Sequence, residues 1–202
     1  MKLKSLFVAA ALAAPSLAFG AAYEIDPAHS AAQFAVKHLM VSTVRGEFDK
    51  VSGTVVLDEK DLKSSRIEAT IDATTISTRN TKRDEHLRSA DFFDVQKFPA
   101  ITFKSTEVKA AGKDRFKVTG DLTMHGVTRP VVLDVESAAT EVKDSYGNVK
   151  RGAVATTKLN RKDFGLNWNA ALETGGVAVS DEVVVTIDLE LNRKDARSAP
   201  AK

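Results

Sequence analysis

The chain has no cysteine among its 202 residues. Disulfides and thiolate metal sites are therefore excluded, and any fold must be held by its packed core. No apolar run reaches the roughly 20 residues a membrane-spanning helix requires. Net charge is almost absent: 29 Lys and Arg face 27 Asp and Glu. The surplus of two is Lys2 and Lys4, and the remainder interleaves both signs, so there is no basic footprint for a nucleic acid. The common catalytic signatures are missing as well: no Gly-x-Ser-x-Gly elbow, phosphate loop or dinucleotide fingerprint. The four histidines, His29, His38, His86 and His125, lack the i,i+4 spacing of a helical zinc site.

The N-terminus supplies an address. Lys2 and Lys4 precede an apolar stretch from Leu6 to Ala14, and small residues follow at Ala18, Gly20, Ala21 and Ala22. Charge, then grease, then small residues is the form of a cleaved secretory signal peptide. Residues 1–21 are read as that leader, residues 22–192 as one domain, and residues 193–202 as a polar, disordered tail. About 180 residues remain after cleavage, enough for one core. The expected location is the bacterial periplasm.

The remainder of the sequence is dominated by alternation. Phe34, Val36 and His38 share one parity, as do Val44, Gly46 and Phe48, and Ile67, Ala69, Ile71 and Ala73. The same holds for Phe116, Val118, Gly120, Leu122 and Met124, and for Val183, Val185, Ile187, Leu189 and Leu191. Period two with polar residues between predicts strands that are apolar on one face and wet on the other. That is an antiparallel pattern, since doubly covered parallel strands read as continuous apolar runs. Turns are expected at Ala111-Gly112-Lys113, His125-Gly126 and Tyr146-Gly147-Asn148, with a bend at Asp26-Pro27. Eight to ten strands at this spacing predict a sandwich or barrel. A charged segment, Thr81 to Arg88, predicts a short helical insertion. Thr81 and Asp84 offer a weak capping box, Asp84 and Arg88 an i,i+4 pair, and Asp91 a cap for a turn carrying Phe92 and Phe93. Asn160 to Gly176 reads as irregular.

Several inward positions are small: Gly46, Gly53, Ala69, Ala73, Gly120, Ala153 and Ala155. A solid interior needs more bulk than that. Two fillings remain open from pattern alone. One is a ligand; the other is Phe92, Phe93, Phe164 and Trp168 folding inward. His38 has inward parity, fitting either a core histidine bonded to a carbonyl or a polar anchor for a ligand. Arg83 and His86 fit either a solvated helix or a closure at a barrel mouth. His125 reads as an exposed turn residue, and Arg161 as the partner of Asp163 or of a neighbouring strand.

The ordered segments Ile25-Asp26-Pro27-Ala28-His29-Ser30, Phe34-Ala35-Val36-Lys37-His38-Leu39, Arg45-Gly46-Glu47-Phe48 and Arg83 through Phe93 resemble the YceI-like family. Phe98 through Phe103, Gly120 through Thr128 and Asn160 through Gly165 continue the likeness, which spans about Ala22 to Leu191. These are periplasmic, lipocalin-like proteins associated with polyisoprenoid binding. The resemblance implies a mainly β, antiparallel eight-stranded lipocalin-like β-barrel with a short helical insertion. It also implies an interior holding a long isoprenoid-type lipid or quinone. On that basis Phe34, Val36, Phe48, Phe103, Met124, Phe164 and Trp168 are assigned to an apolar sleeve. His38, with Arg83 or His86, is assigned to the polar end, and Phe92 and Phe93 to a plug or lid. The expectation is a binder and not an enzyme, without cofactor or metal, and without nucleic acid or, after cleavage, an integral membrane segment. A homodimer is compatible with the family. The competing readings are a histidine-based metal or catalytic site and a lipid-independent interaction module.

Overall fold

A computed structural model describes residues 20–172 and 176–194. The expected leader lies almost wholly outside them, and so does the tail from residue 195.

Among the described residues, twelve strands and one α-helix follow in chain order. They are β1 (Ala21–Ile25), β2 (Ala31–His38), β3 (Ser42–Phe48), β4 (Val51–Leu57), β5 (Arg66–Asp72) and β6 (Ile76–Ser77). Helix α1 (Thr81–Arg88) precedes β7 (Ala100–Gly112), β8 (Arg115–Met124), β9 (Val127–Ser137), β10 (Val142–Lys143), β11 (Val149–Asn160) and β12 (Val179–Arg193).

These strands make eight walls. β1 and β2 both lie antiparallel to β12, through Ile25 opposite Leu191 and Ala32 opposite Ile187, so they form one long strand broken at the Asp26-Pro27 bend. β3 and β4 continue that arrangement against β2 and β1, and β6 and β5 against β3 and β4. β7, β8 and β9 follow as hairpin neighbours, then β11. Pairing of β11 with β12 over eleven register positions, Lys150 to Asn160, closes the ring. The eight-stranded antiparallel barrel expected from the resemblance is therefore present. The small β10 is an outlying ribbon on β11.

The alternating positions point inward as read. Opposite residues across the ladders keep one parity around the ring: Phe34 faces Gly46, Ala69 faces Phe103, Phe103 faces Leu122, and Ala155 faces Val135. The strand β12 runs one residue beyond the expected domain end, with Arg193 opposite Tyr23.

The two ends of the barrel differ. The upper end carries the β2–β3 turn, α1 with the segment after it, the β8–β9 turn and the β11–β12 connection. The lower end carries the β4–β5 and β7–β8 turns and the connection from β9 to β11. There the interior is solid: Tyr23, Val108, Val118 and Leu191 are buried, with Leu57 and Phe116 packed against them. A polar seal closes it. The Tyr23 hydroxyl donates to Glu141 Oε1 at 2.6 Å, and Arg193 Nη1 reaches Glu141 Oε2 at 2.7 Å. Buried Arg151 donates from Nε to Ser137 Oγ at 2.9 Å and from Nη1 to Glu59 Oε1 at 2.8 Å. Burial and the neighbouring carboxylate push the Tyr23 phenol up, while that phenol's hydrogen bond draws the Glu141 carboxyl down.

Candidate functional site

Above the lower plug the barrel is hollow. A cavity of about 340 Å³ runs from the middle to the upper end. Its wall is built from the inward parity of every long strand: Val51 from β4, Ile67 and Ala69 from β5, Phe103 from β7, Leu122 from β8, Leu133 from β9, Ala155 from β11, and Val185 and Ile187 from β12. Several of these were legible as inward residues yet were not nominated as contacts.

The small inward residues act differently from expectation. A side chain at Gly46 would collide with the Phe34 ring, its Cβ 2.4 Å from Phe34 Cζ. One at Gly120 would meet Phe103 Cζ at 2.4 Å. Each glycine is covered by a phenylalanine ring laid against the sheet, a pairing that also restores packing at the glycine. The opening exists because two rings are folded onto the wall, and the glycines themselves contribute no free space. A Cβ added at Gly53 would lie 2.1 Å from Glu68 O of the β5 backbone, and Ala73 is fully buried in a 3₁₀ turn. Among the seven small positions, Ala69 and Ala155 line the cavity directly.

Eleven of the twelve nominated residues lie in the wall: Phe34, Val36, His38, Phe48, Arg83, His86, Phe92, Phe93, Phe103, Met124 and Trp168. Phe164 does not. It sits at the end of a 3₁₀ turn (Arg161–Phe164), 2 % exposed, within the packed core. Strand parity does not extend into that turn, so the pattern could not place it.

The upper end is roofed by aromatics. Phe93 meets Phe48 edge to face at 5.5 Å. Phe92, His86 and Trp168 form a mutual triangle with centroids 5.0 to 5.1 Å apart. The His86 side chain is 39 % exposed while lining the cavity, so the cavity reaches solvent here. Two polar devices hold the roof in place. The first is α1, capped by Asn80, whose Oδ1 accepts from Arg83 N at 3.0 Å; the Thr81–Asp84 capping box is not used. Asp84 turns inward and accepts from Thr78 N at 2.8 Å, and Arg88 donates to the carbonyls of Thr74 and Ile76. The expected Asp84–Arg88 pair is replaced because the helix must be bolted to β6. The turn after α1 is held by Ser89, whose Oγ accepts from Asp91 N at 3.3 Å, and Asp91 instead pairs with His86 at 2.9 Å.

The second device is Arg161, whose expected partner was Asp163 or a neighbouring strand. It is 4 % exposed and donates to the carbonyls of Ser180 at 3.0 Å, Leu166 at 2.5 Å and Trp168 at 2.8 Å. Its carboxylate partner is Asp181 of β12, at 3.5 Å. Burial draws the guanidinium down from its ordinary value, opposed by Asp181. Arg161 thus fixes the loop that presents Trp168. No spacing rule identifies such a clamp, since its acceptors are backbone carbonyls of an irregular segment.

Five polar residues of the wall gather near the roof, His38, Thr78, Arg83, His86 and Arg161, while Gln33, Thr102 and Thr157 line it from β2, β7 and β11. Arg83 is tied by Nε to Thr78 Oγ1 at 2.7 Å and by Nη2 to Thr78 O at 2.9 Å. Among the described residues the one buried side-chain polar atom without a partner is Asn192 Oδ1, which is not part of the wall. The interior therefore poses no unmet polar demand, and an apolar chain is the guest such a lining accommodates.

The histidines do not assemble into one site. His125 holds a left-handed turn, its Nδ1 3.3 Å from Phe164 O and its ring against Phe98. His29 lies at the β1–β2 break beside Asp26 and Glu190, at 3.1 and 3.6 Å. Those three could form a metal-ligand group by position, but Lys150 Nζ already reaches Glu190 Oε1 at 2.5 Å and Asp26 Oδ2 at 3.3 Å. Lys150 thus bridges the two carboxylates of the group. The hydrogen bond from His29, with those from Ala28 N and Lys150, holds the Asp26 carboxyl far below the usual carboxylate range.

A closed antiparallel barrel with a roofed apolar cavity defines a lipocalin-like binding scaffold. The YceI-like domain family matches residues 23–191, and the chain belongs to that family. A UPF0312 protein of Vibrio parahaemolyticus is 40% identical over 166 residues, covering 80% of this chain and 87% of the relative. A Staphylococcus aureus UPF0312 protein is 40% identical over 161 residues, covering 80% and 91%. The crystal structure of the Campylobacter jejuni YCEI protein superposes with a TM-score of 0.66 at 31% identity, over 79% of this chain and 90% of that one. A polyisoprenoid binding domain from Saccharophagus degradans, implicated in plant cell wall breakdown, has the same fold at 17% identity and a TM-score of 0.64, over 85% and 98%.

Proposed function

We propose that this protein binds a long apolar lipid of the isoprenoid or quinone type inside its barrel, as a carrier or store and not as a catalyst. The observation that carries the reading is the apolar cavity above a sealed floor, open toward solvent beneath an aromatic roof. Membership of the YceI-like family and the fold shared with a polyisoprenoid binding domain support it.

The energetics are adequate. Burying roughly 500 Å² of hydrocarbon contributes about 12 kcal/mol gross. Association costs of about 4–15 kcal/mol offset much of that and leave a reversible complex. The chain enters tail first, because the Tyr23–Glu141 and Arg151–Ser137 contacts close the lower end. A head group then remains at the roof, within reach of His38 and Arg83. A role in the periplasm follows from the leader-like N-terminus and from the insolubility of such lipids in water.

The test is extraction of the purified protein with organic solvent, followed by mass spectrometry. A stoichiometric prenyl lipid or quinone is expected. Protein that carries none, and takes up neither polyprenol nor ubiquinone when these are supplied in detergent, would remove the proposal.

A further inference from the structure

The β2–β3 turn is chemically out of place. Its two central residues, Leu39 and Met40, stand at φ 51° and 61°, and Val41 N donates to His38 O at 3.1 Å. Two central residues at positive φ is the arrangement for which Asn-Gly is strongly preferred. Side chains with a Cβ pay a steric cost there, and large apolar ones gain nothing from it in water. Yet Leu39, Met40 and Val41 are 38 %, 63 % and 82 % exposed. Conformational strain is spent to present three consecutive apolar side chains to the outside, which is how strain at functional sites is recognised.

The position of this tip gives it meaning. His38, immediately before it, lines the cavity. Leu39 N donates to Ala178 O at 2.8 Å, and the next residue, Val179, lines the cavity as well. Val177, beside that contact, is another exposed apolar residue, 38 % accessible. An apolar path thus runs from the tip to the mouth.

The flanks are cationic. Lys37 and Arg45 stand on the exposed faces of β2 and β3, Arg79 on the segment joining β6 to α1, and Lys82 in the first turn of α1. That segment abuts β3, since Thr78 sits against Gly46. None of the four has an ion-pair partner among the described residues; Lys37 Nζ donates to the Thr43 hydroxyl. On the same elements the carboxylates left without such a partner are Glu47, Glu85 and Asp84, the last buried and held by Thr78. Other cations on the barrel are paired, as in Lys104–Glu68, Lys117–Asp134 and Lys158–Glu182, while Lys60, Lys63, Arg66, Lys113, Arg129 and Lys143 likewise have no ion-pair partner among the described residues; what sets the four apart is that they flank an exposed apolar tip.

We infer that the β2–β3 tip is a membrane-docking element. Leu39, Met40 and Val41 insert into the surface of an anionic bilayer, the flanking cations meet its head groups, and the cavity mouth is held against the lipid it loads or releases. Apolar insertion together with basic flanks is the combination that gives reversible surface binding. The inference rests on the lipid-binding reading above for its purpose, though the docking itself is measured separately.

The experiment is flotation of the full mature chain with vesicles of phosphatidylcholine alone and with added phosphatidylglycerol. Wild type is expected to float with the anionic vesicles, and at least tenfold less with neutral ones or in high salt. Val41→Asp is expected to reduce flotation tenfold or more. The double substitution Leu39→Asn with Met40→Gly installs the residues the turn prefers, so it is expected to raise the melting temperature while abolishing flotation. Ubiquinone uptake from detergent, measured on the same variants, is expected to stay intact. Failure of wild type to float, or equal flotation by the Asn-Gly variant, overturns docking while intact uptake keeps the cavity reading. Conversion of a dimer to a monomer by the Asn-Gly variant, seen by light scattering in the absence of vesicles, assigns the tip to a second copy and also overturns it. Absence of uptake in all variants removes the cavity reading instead.

Discussion

The lower and upper halves of this barrel are made from the same strands in the same alternation, yet one is solid and the other hollow. In the lower half the inward positions hold Tyr23, Val108, Phe116, Val118 and Leu191, which fill the lumen. Polar atoms among them are fully engaged, as Arg151 and Ser137 show. In the upper half the inward positions include Ala69 and Ala155, while Phe34 and Phe103 are laid over Gly46 and Gly120. An eight-stranded barrel is just wide enough for side chains to fill it or for one ligand to enter. Here the choice is made separately at each end.

That contrast predicts opposite responses to a change in volume. The largest effect is expected at the floor. Tyr23, 2 % exposed, should behave as a core aromatic, and Tyr23→Ala should cost about 3–5 kcal/mol in urea unfolding. At the cavity the response should reverse. Ala155→Phe adds volume where a packed core would suffer about 1–3 kcal/mol of overpacking. With the cavity available, the melting temperature should scarcely move, while quinone uptake falls at least tenfold. A large loss of stability from Ala155→Phe would mean that the upper half is not hollow.

The smallest effect concerns the outer wall at the β1–β2 break, which belongs to neither half. The folded-state pKa of Asp26 is depressed below its unfolded value near 3.9. Its contribution is therefore present above about pH 4 and is lost as pH falls below that. Asp26→Asn should lower stability at pH 6 within the range of a partly exposed ion pair, about 0–1 kcal/mol. The gap from wild type should close under acid conditions. Chemical unfolding at pH 6 and at pH 3 measures both, and a gap that widens in acid would contradict this sign.

Period two made the walls legible because each long strand buries one face. Phe34, Val36 and His38, and Val183 through Leu191, therefore read correctly from the chain. The eight-wall count needed pairing information, since β1 with β2, and β3 with β4, are single strands broken by bends. Which inward residues leave a void was not legible. A glycine covered by a phenylalanine from a neighbouring strand has the same sequence signature as a glycine facing empty space. The roof was partly legible, in Phe92, Phe93 and Trp168. Its fastenings were not, because Asp84, Arg88 and Arg161 work through Thr78 and through backbone carbonyls that no spacing rule marks. Phe164 failed for a related reason: it belongs to a 3₁₀ turn, where strand alternation has ended.

The most direct test uses the chain's single tryptophan, Trp168, which stands in the roof against His86 and Phe92. Its fluorescence is titrated with ubiquinone in dilute detergent, for wild type and for Ala155→Phe. The account predicts saturable quenching at one ligand per chain in wild type and its loss in the variant, with both proteins folded. Quenching that never saturates, or that is identical in the two proteins, would contradict a ligand seated in the upper barrel.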